Sequence, residues 1–191
     1  MKVKFLGMQG TWRHVADSAN TTINKDAGTK EPSPSWKRRM LRCEHSPIRQ
    51  LTLKFKWFDL PYWVSTHFCR HWLGIVHWVR TQRTDRTGVD REVEPQGAPV
   101  EHEIAANPQA LINISRKRLC LQASDKTRQA WKKILASIKA EQPEIVEACV
   151  PDCVYRGYCY EYKTCGFHRS AEFQKQLAEY RKGINEEVVT N

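Results

Sequence analysis

The chain has 191 residues, 40% hydrophobic and 27% charged, with a formal net charge of +10. These are the values of one globular domain able to bury a sizeable core, and they exclude a disordered or low-complexity chain. No apolar run is long enough to cross a bilayer, and the excess of Lys and Arg points to an anionic partner. Lys2-Val3-Lys4-Phe5 opens the chain with alternation, predicting a short strand over 2–7. The start MKVKFLGMQG lacks the apolar core of a secretory signal, so a cytoplasmic setting is expected. Residues 14–40 read as mixed, with a loop marked by Gly28, Pro32 and Pro34.

Leu51 to Trp57 places apolar residues at every second position and predicts the clearest strand, packed on one face. Asp59 then sits where an N-cap belongs and Pro61 in a first turn, predicting a helix through about His71 with Trp63, Val64 and Phe68 inward. Gly74 interrupts, and Ile75 to Val79 reads as strand. Residues 84–103 are polar, contain Gly88, Pro95, Gly97 and Pro99, and read as a long mobile loop. A helix is expected from Asn107 to about Leu121, with Ala110, Leu111, Ile114 and Leu119 at helical spacing. Ser124 caps a second, carrying Trp131, Leu135 and Ile138 and ending at Pro143. Ser170 to Gly183 carries another helical pattern. His77 and the tryptophans Trp57, Trp63, Trp72 and Trp78 are expected in the core. The interleaving of strands and helices predicts an α+β (α/β-like) fold.

Four of the seven cysteines, Cys149, Cys153, Cys159 and Cys165, are spaced Cys-x3-Cys-x5-Cys-x5-Cys. Four thiolates from a short, Gly-containing segment can close a tetrahedral zinc site, and four also hold an iron–sulfur cluster. Zinc is the expected metal, with iron–sulfur second; reduced thiols or redox pairs are the other reading. The expected organisation is a main domain over 1–145, a four-cysteine segment over 146–169 and a helical tail over 170–191.

Two stretches concentrate arginines and amides between apolar residues: RHWLGIVHWVRTQRTDR from Arg70 to Arg86, and NPQALINISRKRLCLQASDKTR from Asn107 to Arg128. A planar guanidinium matches phosphate and carboxylate oxygens bidentately, which suits a phosphorylated small molecule. The first stretch resembles the RHRxxSxxxxSxR motif of the flavin-dependent thymidylate synthases. Arg70-His71 match its opening, and Thr81-Gln82-Arg83 its Ser-x-Arg close with one residue inserted. The second is similar to that family's NARSLxxFxxLRxxxxAQxEIR pattern without gaps, through Asn107, Leu111, Asn113, Arg118, Ala123 and Arg128. His45-Ser46-Pro47 resembles the segment before the family's first flavin-contacting strand. The sequence departs from the motif at Trp72, where an arginine is usual, and at Ile75, where a serine is usual.

The resemblance covers roughly residues 40–130 and implies a mixed sheet with long helices, as in that family, and a reaction. FAD would take part in methylation of dUMP with methylenetetrahydrofolate and NADPH, in a homotetramer whose active site lies between subunits. It implies Arg118 as the catalytic cation against the pyrimidine, Thr81 and Arg83 with Arg118 as the dUMP site, and Arg70, His71, Asn107 and Asn113 as FAD-binding residues. Read without the resemblance, Asn107 is equally a helix N-cap preceding Pro108. Two other readings stay open. One is a zinc-stabilised nucleic-acid-binding protein, given the charge and Tyr155, Tyr158, Tyr160 and Tyr162 beside Arg156, Lys163 and Arg169. The other is a catalytically inactive relative of the synthase fold.

Overall fold

The alternating strands build a four-stranded sheet in the order β1-β2-β4-β3. The structure, a computed structural model, describes residues 1–182. β2 (Thr52–Pro61) is central, with Leu53, Phe55 and Trp57 fully buried and the lysines between them turned outward. It pairs with β1 (Lys2–Gln9) on one side and β4 (Pro99–Ala106) on the other, and β3 (Ile75–Val79) forms the far edge beside β4.

Every pairing is antiparallel, so the sheet is not mixed. The reason is topological. The helix α3 (Tyr62–Cys69) joins β2 to β3, which therefore run the same way, as in a parallel crossover. β4 then inserts between them and pairs antiparallel with both.

Asp59 is not the N-cap of α3. It takes a left-handed φ of 55° where the β2–β4 register shifts between Trp57 and Leu60. Such a bulge bends a strand without ending it, and β2 continues to Pro61, whose φ of −57° leads into the helix.

Residues 14–40 hold more order than expected. α1 (Trp12–Thr21) is capped by Thr11, and α2 (Pro34–Arg42) by Ser33, whose hydroxyl accepts from the Trp36 amide. Ser33-Pro34 is the usual pairing of a cap with proline at the first helical position. The expected 84–103 loop is also shorter, because residues 84–87 form the short helix α4 (Thr84–Thr87) and β4 begins at Pro99.

One sheet face is covered by α5 (Pro108–Arg118) and α6 (Asp125–Ile138), which contribute Leu111, Ile114, Trp131, Ile134 and Ile138 to the core. Each large aromatic there buries on the order of 150–250 Å², provided its polar handle is satisfied. Both indoles are: Trp57 Nε1 donates to the Ala130 carbonyl at 3.1 Å and Trp131 Nε1 to Ser115 Oγ at 2.8 Å. Ser124 stands at the N-cap of α6 but makes no side-chain cap hydrogen bond. Pro143 opens α7 (Pro143–Ala148) after α6 has already ended.

Beyond α7, α8 (Asp152–Arg156) and α9 (Ala171–Arg181) pack Val154, Phe173 and Leu177 into a second, smaller apolar cluster. Tyr155 of α8 lies under the Arg116 guanidinium of α5 at 3.6 Å. The expected tail helix is thus present as α9, while residues 183–191 lie outside the described residues.

Candidate functional site

Two helix C-termini converge beside the β3–β4 edge. Arg70 caps the end of α3 and Arg118 ends α5. Arg118 Nε donates to His71 Nε2 at 2.9 Å, and its Nη2 donates to the His67 carbonyl at 2.6 Å. His71 Nε2 is therefore an acceptor, which requires the neutral ring with its proton on Nδ1. Burial, then the charge of Arg118, then His77 hold His71 down at about 4. The Arg118 guanidinium is itself lowered, by burial first and by Arg70 second. Among the described residues no carboxylate pairs with Arg118. A half-buried cation held by neutral acceptors beside a second cation is a site that an anion or an electron-rich oxygen would stabilise.

A hydrogen-bonded chain supports it from below. His77 Nε2 lies 2.7 Å from the His71 carbonyl, an acceptor only, so that nitrogen carries the proton. His77 Nδ1 then accepts from His102 Nε2 at 2.9 Å, and His102 Nδ1 accepts from the Ser65 hydroxyl at 3.0 Å. His102 is completely buried, and burial followed by His77 holds it down at about 3. Its surroundings keep the His102 ring neutral. Cys69 adjoins it: its sulfur and a nitrogen of each of His77 and His102 lie within 4.8 Å of one another. Those nitrogens are already committed to hydrogen bonds, and burial raises the Cys69 thiol.

Asn107 is the N-cap of α5, its Oδ1 accepting from the Ala110 amide at 2.8 Å. Its own amide donates to the Gly74 carbonyl at 2.9 Å. Gly74 has a φ of +72°, and a Cβ there would meet Asn107 Nδ2 at 2.6 Å, so glycine is required both by conformation and by space. Asn113 lies exposed on α5, with Oδ1 accepting from Gln109 at 3.3 Å and Arg116 at 3.2 Å. Glu44, itself in the left-handed region, pairs with Arg116 and bonds Gln109.

The structure thus brings Arg70, His71 and Arg118 together and sets Asn107 and Asn113 on the helix that ends at Arg118. Thr81 and Arg83 stand apart from this group. Thr81 Oγ1 accepts from the Arg83 amide at 3.2 Å and lines a cleft of about 190 Å³ with Gln82, Pro99 and Val100. The Arg83 fork is closed on Asp85 at 2.9 and 2.8 Å.

The four-cysteine set divides. Cys149 is buried in the main core, bonded to Ser115 and pushed up to about 12, chiefly by burial. Cys153, Cys159 and Cys165 line a separate small cavity. The tryptophans also divide: Trp57 is fully buried, whereas Trp72 and Trp78 are 74% and 51% exposed, contrary to a core placement. Sequence reading missed Ser65 and His102. The available signal was the alternation Val100, His102, Ile104, which puts the histidine on the buried face of β4.

The sequence matches no protein-family model and no curated protein. Solved structures do match. A flavin-dependent thymidylate synthase from Helicobacter pylori, complexed with FAD and dUMP, superposes with a TM-score of 0.65 at 11% identity, over 78% of this chain and all of that one (100%). A second structure of that enzyme gives 0.63 at 13% identity over 78% and 99%. A UMP/dUMP methylase, PolB, from Streptomyces cacaoi, bound with 5-Br dUMP, gives 0.61 at 13% identity over 77% and 93%. The antiparallel sheet and the helices packed on it thus belong to a chain with the fold of the flavin-dependent thymidylate synthases.

Proposed function

We propose that this chain is a flavin-dependent pyrimidine-nucleotide methylase that converts dUMP to dTMP with methylenetetrahydrofolate and NADPH. The observation that carries the reading is Arg118: a half-buried guanidinium held by uncharged acceptors, beside Arg70, with no acid paired to it among the described residues. In the reading, Arg118 faces the pyrimidine and stabilises negative charge developing on a ring oxygen, because a fixed cation in a desolvated site needs no reorganisation as charge builds. The neutral His71 holds the guanidinium plane, and the chain from His77 through His102 to Ser65 holds the His71 backbone.

The donor set also suits FAD. Arg70 offers a guanidinium to a phosphate, and Asn113 an amide to a ring edge with alternating donors and acceptors. Asn107 and Arg118 sit at opposite ends of α5, about 16 Å apart along its axis, so a ligand reaching both must be extended, as a dinucleotide is. Bound there, FAD would supply the hydride that the transferred one-carbon unit requires.

Thr81 and Arg83 make no contact with Arg118, and a second copy would supply them. Trp72, Leu73, Val76 and Trp78, all more than half exposed, lie on and just before the edge strand β3, and this supports assembly of several copies. A nucleic-acid role finds one supporting observation, the exposure of Tyr155, Tyr158, Tyr160 and Tyr162. Two of those rings are already covered by Arg116 and Arg156, at 3.6 and 3.9 Å, which leaves fewer open faces for stacking. The synthase reading is better supported.

The test is the visible spectrum of protein loaded with FAD, before and after dUMP. Protein-bound flavin bands that shift on dUMP addition, followed by dTMP formation with the folate and NADPH, are expected. An unperturbed free-flavin spectrum at saturating FAD refutes the reading.

A further inference from the structure

The cysteines converge in a set that the sequence order hides. Cys120, in the turn after α5, lines the same small cavity of about 20 Å³ as Cys153, Cys159 and Cys165. Cys149 is absent from that lining and lies in the main core instead. The four thiols come from three places: the end of α5, the first turn of α8, and the irregular segment 157–166. Nothing in the synthase-like site uses them, and no two are bridged in a disulfide.

We propose that Cys120, Cys153, Cys159 and Cys165 bind one zinc ion as a tetrathiolate site that fastens the C-terminal segment to the end of α5. Three observations support it. First, the number and type of ligand match structural zinc, which takes four thiolates in a tetrahedron. Second, the four side chains line one small cavity although α6 and α7 separate Cys120 from Cys153 along the chain. Four thiols crowded in a half-buried pocket gain nothing from one another as thiols, whereas a divalent cation offsets their mutual repulsion as thiolates. Third, the segment between Cys153 and Cys165 is held to the end of α5 by exposed contacts, Lys117 with Glu161 at 3.3 Å and Gln122 with the Lys163 carbonyl at 2.5 Å. It buries only a few apolar side chains, and Tyr158, Tyr160 and Tyr162 on it are exposed.

No three of the sulfurs lie within 4.8 Å of one another. Zinc–sulfur bonds of about 2.3 Å set thiolate sulfurs about 3.8 Å apart, so the irregular segment must draw inward on binding. It is free to do so, since it belongs to no helix or strand. His168 also lines the cavity, but its Nδ1 bonds Thr164 Oγ1 at 3.1 Å and its ring packs edge-on against Tyr158. It is not needed as a ligand. Binding releases four protons and leaves a site of net charge −2; the two carboxylates of the same lining, Asp152 and Glu161, are paired with Arg156 and Lys117.

The position has a consequence for the rest of the chain. Cys120 follows Arg118 by two residues, so the ion would anchor the turn at which α5 presents that guanidinium. Metal binding of this kind is folding free energy for the segment it closes.

The experiment uses the full chain, purified under reductant and assayed for metals by mass spectrometry, then reconstituted with Co²⁺. Stoichiometric zinc is expected, and the cobalt form should show the ligand-field bands of a tetrahedral tetrathiolate. Cys120→Ser and Cys153→Ser should each lose the zinc and the cobalt spectrum. Cys149→Ala should keep both, with a circular dichroism spectrum confirming that it folds. A wild-type chain that holds no zinc as purified and gives no tetrathiolate cobalt spectrum overturns the proposal. Zinc retained by Cys120→Ser but lost by Cys149→Ala overturns it in favour of the consecutive set, and iron with acid-labile sulfide overturns the choice of metal. None of these readouts depends on flavin or nucleotide.

Discussion

Replacing Arg118 with alanine separates a binding group from a structural one. Its two hydrogen bonds, to His71 Nε2 and the His67 carbonyl, have a charged donor and contribute about 1.5–3 kcal/mol each. Against them stand the desolvation of the guanidinium and repulsion from Arg70, the two causes that lower its pKa. Those opposing contributions offset part of the bonds, so Arg118→Ala should lower the unfolding free energy in urea by less than about 3 kcal/mol. The ligand side differs. A charge-assisted bond to a pyrimidine oxygen is worth about 1.5–3 kcal/mol, which is roughly a 10- to 150-fold loss in dUMP affinity. Titrating FAD-loaded protein with dUMP measures it, and turnover should fall at least as far. Arg118→Lys should recover only part, because a point charge cannot hold two acceptors in one plane. A variant destabilised by more than about 3 kcal/mol with unchanged dUMP affinity per folded molecule would show Arg118 to be structural.

The remaining predictions concern the groups around that site. His71 and His102 have folded-state pKa values lowered to about 4 and about 3, so the unfolded chain binds more protons between those values and about 6.5. Their contribution to stability is therefore complete above pH 6.5 and is lost as the pH falls, by up to about 1.4 kcal/mol per pH unit for each ring. His102→Gln keeps a donor toward His77 and removes one titrating ring. Urea unfolding at pH 7 and pH 5 should show a shallower dependence in the variant, and identical slopes would refute the assignment. Ser115→Ala leaves the buried Trp131 indole N–H without its acceptor and should cost about 1–3 kcal/mol, read as a lowered urea midpoint at constant m-value. Trp78→Lys places a charge on the exposed edge strand and should reduce the proposed oligomer to a smaller species by light scattering. A wild-type chain that is monomeric at every concentration refutes assembly through that face.

Much of the fold is legible in short-range pattern. β2 and β3 follow from alternation, α5 and α6 from apolar residues at helical spacing, and the Asn107 cap from Asn-Pro before an apolar run. What failed did so for local reasons. α1 and α2 present strongly polar outer faces, and β4 hid because its inward residues include a histidine.

The sequence by itself determined which residues could do chemistry: the arginines and amides of the two motif stretches, and the supply of thiols. Only the tertiary structure decided which of them meet. Insertion of β4 between β2 and β3 made an antiparallel sheet out of a crossover that reads as parallel, and set His102 against His77. The return of the chain through α8 placed Cys153, Cys159 and Cys165 against Cys120, while Cys149, four residues before Cys153, turned into the core. Spacing along a chain fixes ligands only where the backbone between them is local. Cys120 and Cys153 are separated by two helices, α6 and α7, and their meeting depends on how those helices pack on the sheet.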